Sequence, residues 1–114
     1  MKNICLLLVL LFNGCNIKVQ LVDTVTLKHY DGDFREGTFI PGSHATSFTI
    51  EEEVYKGECS LFGMNFIGYN GQCKLELKEK DNLQCDVKYN SFTRNLHGQC
   101  KNSYLDKEYD LITP

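Results

Sequence analysis

Residues 64–89, MNFIGYNGQCKLELKEKDNLQCDVKY, carry the decision about the fold, because two turn signals and one alternating apolar pattern agree on a single strand register. Asn70-Gly71 is the strongest hairpin signal in the chain: a two-residue type I′ turn needs positive φ at both central positions, and Asn and Gly adopt it at least cost. A turn there sets Phe66 opposite Leu75, Met64 opposite Leu77 and Gly68 opposite Cys73. One face is then apolar or small, and Asn65, Lys74, Glu76 and Lys78 take the other.

Lys80-Asp81-Asn82 reads as the next turn, with Asn82 in the left-handed position, which pairs Leu77 with Cys85, Leu75 with Val87 and Cys73 with Tyr89. A loop over residues 90–95 then pairs Tyr89 with Leu96, Val87 with Gly98 and Cys85 with Cys100. The sequence therefore predicts a four-stranded antiparallel meander whose inward face holds Met64, Phe66, Leu75, Leu77, Val87 and Tyr89.

Upstream, residues 22–30 (VDTVTLKHY) read as a half-buried strand with Val25 and Leu27 on one side. Asp31-Gly32-Asp33 reads as a solvated turn, since the remaining ligands of a calcium loop are missing. Residues 34–40 (FREGTFI) form a second strand stopped by Pro41-Gly42, residues 46–54 a third carrying Phe48 and Ile50, and residues 108–113 (EYDLIT) a last one. Gly-x-Cys recurs at Gly57, Gly71 and Gly98, at unequal spacings, as punctuation between strands rather than as a repeat array. The expected fold class is all-β: seven or eight short antiparallel strands in a small sandwich or barrel, with a C-terminal meander stapled by two disulfides.

Residues 30–41 (YDGDFREGTFIP) resemble the Tyr-x-Gly-x4-Gly-Thr-Phe-x-Pro stretch that opens von Willebrand factor type C modules, over about a tenth of the chain. Those modules flank the stretch with cysteines. Lys28 and Ser43 stand in that neighbourhood here, so the family is not assigned.

The N-terminus, MKNICLLLVLLFNGC, has one basic residue, an apolar run over residues 4–12 and a small residue before Cys15, the layout of a signal sequence. A run of nine is too short for the roughly twenty residues of a membrane-spanning helix, and no later segment comes closer. Residues 1–15 are thus expected to be a signal and residues 16–114 a single domain. Ordinary cleavage gives a secreted, extracellular protein. The alternative is a bacterial envelope lipoprotein, because Leu11-Phe12-Asn13-Gly14-Cys15 resembles the end of such a signal. That resemblance implies a lipid on Cys15 and a place on the outer membrane or its periplasmic face.

With Cys5 and Cys15 assigned to the signal, Cys59, Cys73, Cys85 and Cys100 remain. An even number in an exported domain argues for two disulfides. In the predicted register Cys73 and Cys85 are offset along neighbouring strands by roughly 13 Å, beyond the Cα separation of about 7 Å that a disulfide tolerates. Direct opposition favours Cys85 with Cys100, and elimination leaves Cys59 with Cys73.

The 114-residue chain carries a net charge of -3, and its basic residues form no patch with interleaved aromatics, which argues against nucleic acid. It contains no GxSxG, CxxC, HExxH or phosphate-cradling glycine loop. Ser43 and His44 are neighbours on an extended stretch and point apart. No enzyme, cofactor or metal is expected. The function expected is that of a secreted, non-catalytic binding or effector protein of venom, saliva or defence type, a monomer that recognises a protein target by its surface. Its candidate contacts are Phe92 and Arg94 in the loop over residues 90–95, and the acidic run Glu51, Glu52 and Glu53.

Overall fold

Period-two alternation of large apolar and polar residues, the pattern of a half-buried strand, runs through eight segments of the chain. In the computed structural model, which describes residues 16–36 and 40–114, they are β1 (Asn16–Asp23), β2 (His29–Arg35), β3 (Gly42–Ile50), β4 (Glu53–Met64), β5 (Gly68–Glu76), β6 (Asn82–Asn90), β7 (Asn95–Asn102) and β8 (Lys107–Ile112). Each strand pairs antiparallel with the next, and β1 pairs with β8. The all-β expectation is met by a closed barrel. The expected signal segment, with Cys5 and Cys15, lies outside the described residues.

Closure follows from the interior. Eight strands enclose a space that side chains alone can fill, and Val19, Leu21, Phe34, Phe48, Leu61, Leu75, Leu83, Leu96 and Leu111 fill it. Closure also removes free sheet edges, so Glu51, Glu52 and Glu53 protect none. Glu51 and Glu52 instead form the two-residue β3–β4 turn, with φ of 51° and 70°, between the paired Ile50 and Glu53.

Both disulfides are present, Cys59–Cys73 and Cys85–Cys100, with Cα separations of 3.9 and 4.0 Å. The register that excluded Cys73–Cys85, however, is overturned: Cys73 pairs directly with Cys85, and all four cysteines form one buried row, Cys59, Cys73, Cys85, Cys100, across β4 to β7. The connectivity follows from pair type. Short Cα separations belong to non-hydrogen-bonded antiparallel pairs, and a residue that makes such a pair on one side turns its N–H and C=O to the other. Non-hydrogen-bonded and hydrogen-bonded pairs therefore alternate along the row, and the bridges occupy the closer ones.

Two further corrections, at Asn70-Gly71 and at Asp31-Gly32-Asp33, share one cause, which is that glycine stands in the strands and other residues make the turns. Asn70-Gly71 lies inside β5, and the β4–β5 turn is made at Asn65, whose Oδ1 accepts the N–H of Ile67 at 3.0 Å and of Gly68 at 2.8 Å. Met64 and Phe66 are consequently exposed and Leu77 only partly buried, whereas Leu75, Val87 and Tyr89 face inward as expected. Asp31-Gly32-Asp33 lies inside β2, where a Cβ on Gly32 would stand 2.2 Å from Phe48 Cδ1, so the missing side chain is the space that Phe48 fills. Gly71 likewise allows close strand approach: its Cβ would fall 1.7 Å from Ser60 O.

Residues 22–30 are not one strand. Asp23 ends β1 and caps the β1–β2 turn, leaving Val25 and Leu27 exposed. The strand expected over residues 34–40 ends at Arg35, and residues 37–39 lie outside the described residues. Asn82 opens β6 rather than ending a turn, so the partner of Cys73 is Cys85 and not Tyr89, four residues away. A shift of four keeps every side chain on its face, which is why the core of β5 and β6 was foreseen from a wrong pairing. The β6–β7 register, with Tyr89 opposite Leu96, Val87 opposite Gly98 and Cys85 opposite Cys100, stands as expected.

Candidate functional site

The connections gather at two ends. One end, called lower here, holds the β2–β3, β4–β5 and β6–β7 connections, and the upper end holds the other four. Three connections share one construction. Asp23, Asn90 and Asn102 close a strand, the side-chain oxygen of each accepts backbone N–H groups two or three residues on, and the fourth residue after each, Leu27, Arg94 and Asp106, takes φ of 61°, 56° and 53°. An Asx side chain that mimics a backbone turn and tolerance of one left-handed residue explain it. The construction throws Val25, Phe92 and Tyr104 outward.

At the lower end the Tyr89 hydroxyl donates to Glu36 Oε2, and Arg94 grips the same carboxylate from the other side, Nε donating at 3.0 Å and the second nitrogen contacting Oε1. Burial first, and then the Glu36 carboxylate, push the Tyr89 phenol well above its ordinary value; the hydrogen bond to Glu36 likewise raises Arg94. His44 is buried beside this cluster, its ring tilted by 31° against that of Phe34 with centroids 5.1 Å apart. Its Nδ1 lies 2.9 Å from Arg35 O and its Nε2 contacts Ile40 O. Ser43 points the other way, toward Ser60, so the two do not combine.

At the upper end the Tyr55 hydroxyl donates to Asp81 Oδ1 at 2.7 Å, and Asn102 Nδ2 donates to the same oxygen at 2.6 Å. Burial and Asp81 raise the Tyr55 phenol, while burial and then Asp23 push Tyr109 up to about 12. Asp23 is held below its ordinary value by the N–H groups of Val25 and Thr26.

Two surfaces are left to act outward. The first is a groove of about 770 Å³ on the outer face of β4 to β7, floored by the backbone of Gly71, Val87 and Gly98. Its walls include Asn70, Gln72, Asp86, His97 and Gln99, both hydrogen-bond donors and acceptors. The second is apolar: Phe62, Met64, Phe66, Ile67 and Phe92 are exposed together at the lower end, where Ser91 N donates to Ile67 O at 2.8 Å and joins the β4–β5 turn to the β6–β7 turn.

The five residues proposed from sequence are thus divided. Phe92 is 81% exposed and belongs to the apolar end; Arg94 is turned inward onto Glu36 and holds the loop; Glu51, Glu52 and Glu53 are at the opposite end. The groove and the Glu36 cluster were missed. The recurring Asn-Ser-aromatic at residues 90–92 and 102–104 is the signal that would have placed two of the turns.

No protein-family model matches the chain, and no curated protein and no solved structure matches it. The two disulfides are consistent with an extracellular or otherwise oxidising compartment. Among the described residues no helix is long and apolar enough to cross a membrane.

Proposed function

We propose that this is an exported, non-catalytic binding protein that recognises a protein target through its outer surface. The observation that supports the reading is the filled interior: the side chains of all eight strands meet inside the barrel, so a partner is met from outside. The groove across β4 to β7 is the surface best suited to it. Its amides, carboxylate and imidazole give directional hydrogen bonds, and Phe62 stands at its margin as an aromatic anchor. Export rests on the leader-like N-terminus together with the two disulfides.

The test is a screen of the purified protein against cell-surface ectodomains, repeated with Gln72→Arg/Gln99→Arg in the groove and with Glu51→Lys/Glu52→Lys at the upper end. An ectodomain that binds the native protein is expected to lose at least about tenfold in affinity for the groove variant and to keep its affinity for the other. Undiminished binding by the groove variant overturns the assignment.

A further inference from the structure

Apart from Phe62, which borders the groove, the apolar lower end is not used by that reading, and its charges say what it meets. Phe66, 103% exposed, projects from the tip of the β4–β5 turn with Met64 and Ile67 beside it, and Phe62 and Phe92 extend the cluster along β4 and onto the β6–β7 turn. The bond between Ser91 and Ile67 presents these side chains as one preorganised unit, so little ordering remains to be done on contact. They form prongs on the rim of the barrel.

The cations of this end are Lys18, Arg35, Lys88 and Arg94. The carboxylates nearest to it are both committed: Glu36 is buried between Arg94 and Tyr89, and Asp33 accepts Lys18 Nζ at 2.6 Å. Asp86, nearer the waist, accepts from Gln72. The opposite end carries Glu51, Glu52, Glu53, Glu79, Asp106 and Glu108, all exposed, together with Asp23 and Asp81; Lys28, Lys78, Lys80, Lys101 and Lys107 stand among them, so eight carboxylates meet five cations there and the excess is negative. A molecule of net charge -3 is therefore polarised along its axis, with its apolar side chains at the positive pole.

We propose that the lower end docks onto an anionic phospholipid surface. Phe66, Phe92 and their neighbours enter the boundary between headgroups and acyl chains, Lys88 and Arg35 face the headgroup charge, and the acidic upper end is turned away. A fluid bilayer accepts separate prongs without a matching shape, which a protein partner would have to supply. The barrel does not span the membrane in this arrangement, and the groove remains open to its target.

Co-sedimentation of the disulfide-intact protein with phosphatidylcholine vesicles, with and without phosphatidylserine, tests this. Binding is expected to the anionic vesicles, to fall as salt is added, and to be at least about tenfold weaker on phosphatidylcholine alone. Phe66→Ser and Phe92→Ser are each expected to lower the partition by about tenfold, with an unchanged unfolding midpoint as the check that the barrel is intact. Equal partition onto neutral vesicles, no partition onto either, or tip variants that bind like the native protein would overturn the proposal. So would sedimentation velocity showing a dimer without lipid that the same variants dissociate, since the surface would then belong to a second copy.

Discussion

The two ends of the barrel are closed by the same device in different electrostatic versions. At each, a tyrosine hydroxyl from the barrel wall donates to one carboxylate, Tyr89 to Glu36 below and Tyr55 to Asp81 above. Below, the second partner is the Arg94 guanidinium; above, it is the neutral Asn102 amide. The lower carboxylate is neutralised and buried, whereas the upper one keeps its charge near solvent. A barrel end can be shut with or without an ion pair, and the choice made here leaves one more negative charge at the upper end.

The largest difference between the ends should emerge when the second partner is removed. Arg94→Ala leaves Glu36 buried without its cation and is expected to cost about 3 kcal/mol in chemical denaturation. Asn102→Ala removes one hydrogen bond to Asp81 and the cap on Leu105 N, and is expected to cost about 1–2 kcal/mol. Equal losses would mean that the two closures are energetically the same.

A smaller effect, common to both ends, is expected in alkali. Tyr55 and Tyr89 have raised folded-state values, so the stability they contribute is complete below the ordinary phenol value of about 10 and is lost as pH rises through the higher folded values. Tyrosinate absorbance in the native protein should therefore lag behind that of the denatured chain, and Tyr55→Phe and Tyr89→Phe should each remove part of the lag.

The smallest effect separates two turns of one construction. Asp23 is depressed in the fold, so its contribution is present above the ordinary carboxylate range and disappears as pH falls through its lowered value. Asn90 holds the equivalent place at the lower end and does not titrate. Amide exchange at Val25 and Thr26, corrected for intrinsic rates, should accelerate in acid while that at Phe92 and Thr93 does not. Parallel acceleration would show that acid acts elsewhere.

The same turns explain what could be read from the sequence. Alternation identified the inward faces of β5, β6 and β7 and the last strand, because burial imposes a period of two whatever the partner. Cys85 opposite Cys100 was legible for the same reason, helped by a turn at Asn90 where one was expected. Glycine misled at Gly32 and Gly71, which are strand residues that make room for Phe48 and for the approach of β4. Glu51, Glu52, Leu27 and Arg94 adopt left-handed conformations instead, and none of these residue types announces a turn. Of the candidate site, Phe92 was legible as a loop aromatic. Glu36 was not, because its partners Tyr89 and Arg94 are brought to it from the far side of the sequence.

The seam between β1 and β8 gives the barrel an order of manufacture. Four residue pairs join the first strand to the last, and among the described residues no disulfide crosses them. Each bridge instead joins consecutive strands, over separations of 14 and 15 residues. Both need only their neighbouring strands, because short loops close quickly, whereas the seam must wait for Tyr109 and Leu111 at the far end of the domain. The bridges alone make a stapled, open sheet, and the joining of its two free margins is the step at which the sheet becomes a finished barrel.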